Sequence, residues 1–134
     1  MATQADVHRI ATSLPGVETS GTGFKFAVLN KGKTKPFVWV WQQRVEPKKP
    51  RVPNPAVIAV RVANNTQKDL MLAADPAKFF TEPHYNGFPA VLVRLEAVKV
   101  AELRLLIEEA WRCQAPAPLA RSSEARRRTG RKGS

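Results

Sequence analysis

Cysteine, histidine and long apolar segments are scarce in this chain of 134 residues, and each shortage argues against a class of protein. The single cysteine, Cys113, excludes a disulfide within the chain and is typical of a reducing compartment. Two histidines, His8 and His84, are too few for the usual cluster of zinc ligands. No apolar run approaches the roughly 18–20 residues of a membrane-spanning helix, and the first ten residues lack the apolar core of a secretory signal. The composition predicts a soluble cytoplasmic protein without a cofactor.

Patterns that carry enzymatic chemistry are equally sparse. Lys31-Gly32-Lys33 has the composition of a turn and lacks the spacing of a phosphate-binding loop. Cys113, near the end of the last predicted helix, is expected to be a small buried side chain rather than a nucleophile. His84 and Tyr85 lie in a loop where a general base could sit, although a structural role is the simpler interpretation. The sequence therefore predicts a nonenzymatic protein with no catalytic residues.

Positive charge is concentrated in two segments. Residues 25–51 contain eight basic residues and one acid, Glu46, for a net charge of +7. Residues 115–134 contain six basic residues and one acid, Glu124, for a net charge of +5. Since the whole chain carries +11, the other 87 residues carry −1. Two cationic patches on a nearly neutral body indicate a surface that binds a polyanion.

Apolar residues recur with the period of an amphipathic helix near both ends of the folded part. The predicted inward positions of the first and last helices are Val7, Ile10, Ala11 and Leu14, and Val100, Leu103, Leu106, Ile107, Ala110 and Trp111. Thr3 and Asp6 have the spacing of a capping box. A short helix over Thr66–Ala73 should turn Leu70 and Leu72 inward, and residues 77–80 should form one more helical turn.

Four segments are predicted to be strands, and they are Phe24–Leu29, Phe37–Trp41, Val57–Val62 and Ala90–Leu95. In the second strand Phe37, Trp39 and Trp41 should share one face. The four prolines of Glu46–Pro55 predict an exposed loop. Because no long helix alternates with the strands, the expected fold is α+β: an antiparallel sheet with helices on one face. We expect one domain, residues 1–114, followed by a disordered basic tail, residues 115–134.

Several short motifs, in their order and spacing, resemble the bacterial MmcQ/YjbR family over roughly residues 4–119. They are Leu14–Glu18, Asp75–Phe80, Pro83–Gly87, Ala90–Leu95 and Glu108–Arg112 running into Ala115-Pro116. The resemblance implies a two-layer α+β domain like that of secretion chaperones, and DNA binding through a proposed double wing of β-hairpins. Two features depart from the family. Phe88-Pro89-Ala90 replaces a common tryptophan, and Lys99 replaces an acidic N-cap, which should weaken the last helix by about 1 kcal/mol unless another residue caps it.

The favoured function is binding of DNA, with RNA as the alternative ligand, and with little sequence specificity, because lysine and arginine on a protruding ribbon suit phosphate contacts. The expected contact residues are Lys31, Lys33, Lys35, Arg44, Lys48, Lys49, Arg51, Arg126, Arg127 and Arg128. Trp39 and Trp41 could stack on unpaired bases, but burial in the core is the simpler expectation. The alternatives are a protein-interaction module, with Phe79-Phe80 and Tyr85–Phe88 lining an apolar groove, and, less favoured, a small-molecule site or enzyme around His84 and Tyr85.

Overall fold

Six antiparallel strands form a single sheet in the order β1-β2-β3-β4-β6-β5. The structure is a computed structural model that describes residues 2–19, 25–43, 50 and 52–116. The strands are β1 (Val17–Thr19), β2 (Lys25–Asn30), β3 (Lys33–Gln43), β4 (Val52–Arg61), β5 (Phe79–Phe80) and β6 (Ala90–Arg94). The helices are α1 (Gln4–Thr12), α2 (Asn65–Ala74) and α3 (Val100–Gln114). The predicted α+β class with an antiparallel sheet is confirmed.

Helices α1 and α3 cover one side of the sheet, called here the helix face. Their buried side chains include Val7 and Ile10 of α1 and Leu103 and Ile107 of α3, which pack against apolar strand residues such as Val38. These are the positions that the 3.6-residue period predicts. The predicted capping box of α1 is also present, since Thr3 Oγ1 accepts from Asp6 N–H while Asp6 accepts from Thr3 N–H.

The amino-terminal end of α3 is capped although a lysine, Lys99, occupies the N-cap position. The Lys99 N–H donates to Glu102 Oε1 at 3.2 Å. Glu102 also pairs with Lys78, which precedes β5. The hydrogen bond from the Lys78 side chain, and then the one from the Lys99 backbone, lower the pKa of Glu102. The missing acidic N-cap is therefore offset by a residue one turn into the helix.

The opposite side of the sheet carries a second, smaller apolar cluster and is called here the aromatic face. Trp41, Tyr85 and Leu92 are buried in it, and Trp39 and Phe80 pack against it half-buried. The alternation in β3 predicts that Phe37 shares this face with the two tryptophans, but Phe37 lies on the helix face instead. The β2–β3 register shifts at this point, so that Phe26 pairs with Val38 but Ala27 pairs with Pro36. This bulge turns Phe37 into the core of the helix face.

Strand β4 begins within the segment that the prolines predict to be a loop. Val52, Pro53 and Asn54 pair with Gln43, Gln42 and Trp41. On the other side, β6 pairs with β4 only from Val57 onward. The proline-containing part of β4 therefore lies at an edge, where a missing amide donor is tolerated.

Two further expectations about the middle of the chain are wrong. Leu70 of α2 is 61% exposed and Leu72 is only half-buried, whereas Lys68 is buried and Met71 packs against the core. The end of the predicted helical turn over residues 77–80 is instead strand β5, which pairs Phe79 and Phe80 with Val93 and Leu92. The tertiary pairing with β6 outweighs the weak local preference of so short a segment.

Candidate nucleic-acid interface

Three of the predicted contact residues meet at the tip of the β2–β3 hairpin. Lys31, Lys33 and Lys35 are exposed, and none forms an ion pair with another residue in the described part of the chain. No acidic residue occurs between Lys25 and Gln43. Three unpaired ammonium groups within five residues produce a local positive potential that attracts anions.

The hairpin turn is well defined by the backbone. Asn30 pairs with Lys33, which leaves Lys31 and Gly32 as a two-residue loop. Their φ angles are +53° and +78°, the positive values that a type I′ turn requires at both positions. Such a turn matches the twist of the two strands, so the lysines are presented by regular hairpin structure rather than by an irregular loop.

The carboxyl end of α3 is hydrogen-bonded to this hairpin. Asn30 Nδ2 donates to Gln114 O at 2.9 Å, and Gln114 Nε2 donates to Pro36 O at 3.0 Å. The two bonds connect residues 78 and 84 positions apart in the chain. The basic tip is therefore fixed to the helix layer on both of its strands.

The described part of the positive segment, residues 25–43, extends along strands β2 and β3. Strand β3 runs from Lys33 to Gln43, and a strand of 11 residues is about 30 Å long. Gln43, after which Arg44 and the remaining basic residues of the segment follow in the sequence, lies at the far end from Lys33. Arg44, Lys48, Lys49 and Arg51, and the tail residues Arg126, Arg127 and Arg128, lie outside the described residues.

A second set of aromatic and basic side chains lies on the aromatic face. Trp39 Nε1 donates to the Tyr85 hydroxyl at 3.1 Å, and the Trp39 ring lies 6.4 Å from that of Phe88. The Arg61 guanidinium is 5.2 Å from the centre of the Phe88 ring. Of the tryptophans, Trp41 is buried as expected, whereas Trp39 is half-buried.

Lys68 fixes the loop that contributes Tyr85 and Phe88. Its ammonium donates to Tyr85 O at 2.5 Å and to Phe88 O at 2.9 Å, and the residue is only 4% exposed. Desolvation lowers the pKa of Lys68, although the charge of Asp69 opposes this shift. Sequence reasoning missed this residue, because its two acceptors are backbone carbonyls far along the chain.

The apolar groove predicted from Phe79-Phe80 and Tyr85–Phe88 is divided by the sheet. Phe80 packs edge-on against Trp41 on the aromatic face, with ring centres 5.4 Å apart. Phe79 instead lines a cavity of about 530 Å³ between α2 and α3, together with Met71, Leu106 and Leu105. Adjacent strand residues point to opposite faces, so two neighbouring phenylalanines cannot line one groove here.

Of the residues considered for chemistry, Tyr85 belongs to the aromatic face, Cys113 lies on α3, and the side chain of His84 lies outside the described part of the structure. Cys113 is exposed, not buried as expected, because it lies on the outer side of the last turn of α3. Desolvation by its surroundings, and then the charge of Glu109, raise the pKa of its thiol.

The described ranges contain no group of three His, Cys, Asp or Glu side chains arranged to hold a metal ion. Among the described helices, none is both long and apolar enough to cross a bilayer.

Comparisons with known proteins find sequence relatives of this chain but assign no activity to it. No family model matches the chain. Uncharacterised proteins of Mycobacterium tuberculosis and Mycobacterium bovis are 45% identical over 67 residues. The match covers 50% of this chain and 52% of each relative, so it spans about half the length of these relatives.

A solved structure shares the architecture. The crystal structure of protein DR2400 of Deinococcus radiodurans, a DUF419 domain, aligns with a TM-score of 0.60 and 18% identity. The alignment covers 84% of this chain and 78% of that protein. The two proteins therefore have the same fold.

Proposed function

We propose that this chain is a nonenzymatic DNA-binding protein of the MmcQ/YjbR type, which contacts the phosphate backbone through the tip of the β2–β3 hairpin. The observation that carries the proposal is the cluster of Lys31, Lys33 and Lys35 on an ordered turn without carboxylate partners among the described residues. Phosphate contacts by lysine release condensed counterions and carry no base information. Binding should therefore be strong at low salt and nearly independent of sequence.

The anchoring of the hairpin supports this role. Since Asn30 and Gln114 join the tip to α3, its lysines lose little additional backbone freedom when they bind. The described helices give less support to base recognition. Helix α3 contains three glutamates and two arginines, and Glu109 pairs with Arg112, so this helix has no excess of positive charge to offer a groove of DNA.

The proposal is tested by removing the tip charges in the full-length protein. Lys33→Gln combined with Lys35→Gln should weaken duplex binding and reduce the slope of log K against log salt by about 1.8, because each phosphate contact contributes about 0.9. The matched control is Lys99→Gln with Arg104→Gln, two exposed cations of the α3 region. Fluorescence anisotropy over a salt series, with thermal melts to verify folding, measures both variants.

Equal weakening by the two pairs would mean that net charge, not the hairpin, determines binding. Absence of duplex binding by the full-length protein at low salt would disprove the proposed function.

A second candidate, binding of an apolar segment of a partner protein, is favoured by the α2–α3 cavity, where Leu105 is 65% exposed. Binding of that kind should change little with salt.

A further inference from the structure

One transverse row of side chains crosses the aromatic face. Lys25 pairs with Trp39, Trp39 with Ala59, Ala59 with Leu92, and Leu92 with Phe80. Directly paired residues project to the same side of a sheet. The half-buried Trp39 ring thus lies between the exposed Lys25 and the small side chain of Ala59, and Phe88 reaches it from the loop before β6. Trp39 and Phe88 together are called here the Trp39–Phe88 platform.

The platform is held in place before any ligand binds. The hydroxyl of Tyr85 accepts the indole N–H of Trp39, which fixes the plane of the larger ring. The Lys68 ammonium holds the carbonyls of Tyr85 and Phe88, and Tyr85 O also accepts Phe88 N–H at 3.1 Å. Phe88 nevertheless remains 39% exposed. An exposed aromatic surface whose geometry is already fixed is well suited to stacking, because little freedom is lost on binding.

Cations border the platform on both sides. Lys25 lies on β2, and Arg61 lies on β4, two strands and about 10 Å away. Arg61 stacks on Phe88 but has no hydrogen bond or ion pair within the described ranges, so its five N–H donors are available to an anion. An aromatic surface between two cations is complementary to a planar ring flanked by phosphates.

We propose that the Trp39–Phe88 platform stacks an unpaired base of a single-stranded nucleic acid, while Lys25 and Arg61 contact its backbone phosphates. The inference rests on the proposed function and adds a second site to it. In a duplex the faces of the bases are covered by their neighbours, so an exposed aromatic ring can stack only on bases that are unstacked. The hairpin tip, in contrast, should bind duplex and single strand alike.

The test compares an oligothymidylate with the same strand annealed to oligoadenylate. Phe88→Leu should weaken binding of the single strand by roughly 5- to 150-fold, the effect expected from losing one stacked base, and leave duplex binding nearly unchanged. Arg61→Gln should reduce the salt slope for the single strand by about 0.7. Leu105→Ala and Arg104→Gln, which change exposed residues of α3, are the matched controls and should alter neither ligand.

Intrinsic fluorescence provides an independent measurement with the unmodified protein. Trp41 and Trp111 are buried, so quenching by unlabelled oligothymidylate reports mainly on Trp39. The quenching should disappear in Trp39→Leu. The inference would be overturned if the folded variants bind the single strand as well as the wild type does. It would also be overturned if their affinities for the single strand and for the duplex fall equally. The proposed function would survive that result if the Lys33/Lys35 pair still lost duplex binding. If the wild type binds neither ligand at low salt, both proposals fail.

Discussion

Lys68 shows how a single residue can stabilise a surface of which it forms almost no exposed part. A buried ammonium is costly unless polar groups replace its water, and here the carbonyls of Tyr85 and Phe88 do so. Periodicity alone places apolar residues on the inner side of α2. The burial of Lys68 instead depends on a loop 17–20 residues further along the chain, which no local pattern reveals.

The lowered pKa of Lys68 predicts a specific pH dependence of stability. Because desolvation penalises its charged form, the unfolded chain binds more protons than the folded protein as pH rises towards the ordinary value of 10.5. The contribution of Lys68 to the free energy of unfolding should therefore increase over this interval. Urea unfolding measures this contribution as the free energy of unfolding of the wild type minus that of Lys68→Met, and this difference should rise with pH.

The matched control is Lys99→Met, which removes a lysine that is exposed. The difference in the free energy of unfolding between this variant and the wild type is the reference against which the growth with pH for Lys68→Met is judged. A difference for Lys68→Met that stays constant or falls with pH would contradict the assigned desolvation.

At the scale of secondary structure, the sequence predicted long periodic elements and missed short or paired ones. The faces of α1 and α3 follow from their apolar spacing, and the Asn30–Lys33 turn from its composition. Strands β1 and β5 have three and two residues, too few for any alternation to be detectable. The bulge that separates Phe37 from Trp39 depends on the partner strand β2, so β3 alone could not indicate it.

The type I′ turn supplies a test of how firmly the hairpin is specified. Gly32 has φ of +78°, and a Cβ added there meets no atom within 4 Å. Gly32→Ala should therefore cost about 1 kcal/mol, through backbone strain alone and without steric overlap. Lys31→Asn changes the neighbouring residue with positive φ to one that tolerates this conformation, so stability should be unchanged or slightly increased. Urea unfolding distinguishes the two outcomes, and an equal loss in both variants would rule out this explanation.

At the scale of the whole molecule, the count of charges along the sequence predicted a basic surface but could not show which residues meet in space. Among the described residues, Lys31, Lys33 and Lys35 lie at one end of the β2–β3 hairpin, and Gln43 lies at the other end of β3. The sequence placed Trp39 and Trp41 on one strand face, and placed Phe80 and Tyr85–Phe88 in an apolar groove, but did not indicate that these two sets meet. Its composition depends on strands β2 to β6 and on the loop of Tyr85 and Phe88, which are brought together by strand order.

The relative weight of the hairpin and the carboxyl-terminal segment can be measured by truncation. Ala115 is buried in the core, so the truncation that preserves the core removes residues 117–134. That segment carries a net charge of +5 and no apolar period, so the shortened protein should melt at an unchanged temperature. It should bind duplex DNA more weakly and with a shallower salt slope, because phosphate contacts are lost. Lys33→Glu with Lys35→Glu in the shortened protein should then abolish most of the remaining binding. If truncation alone removes all binding while the melting temperature is unchanged, the basic segment and not the hairpin is the site of DNA contact.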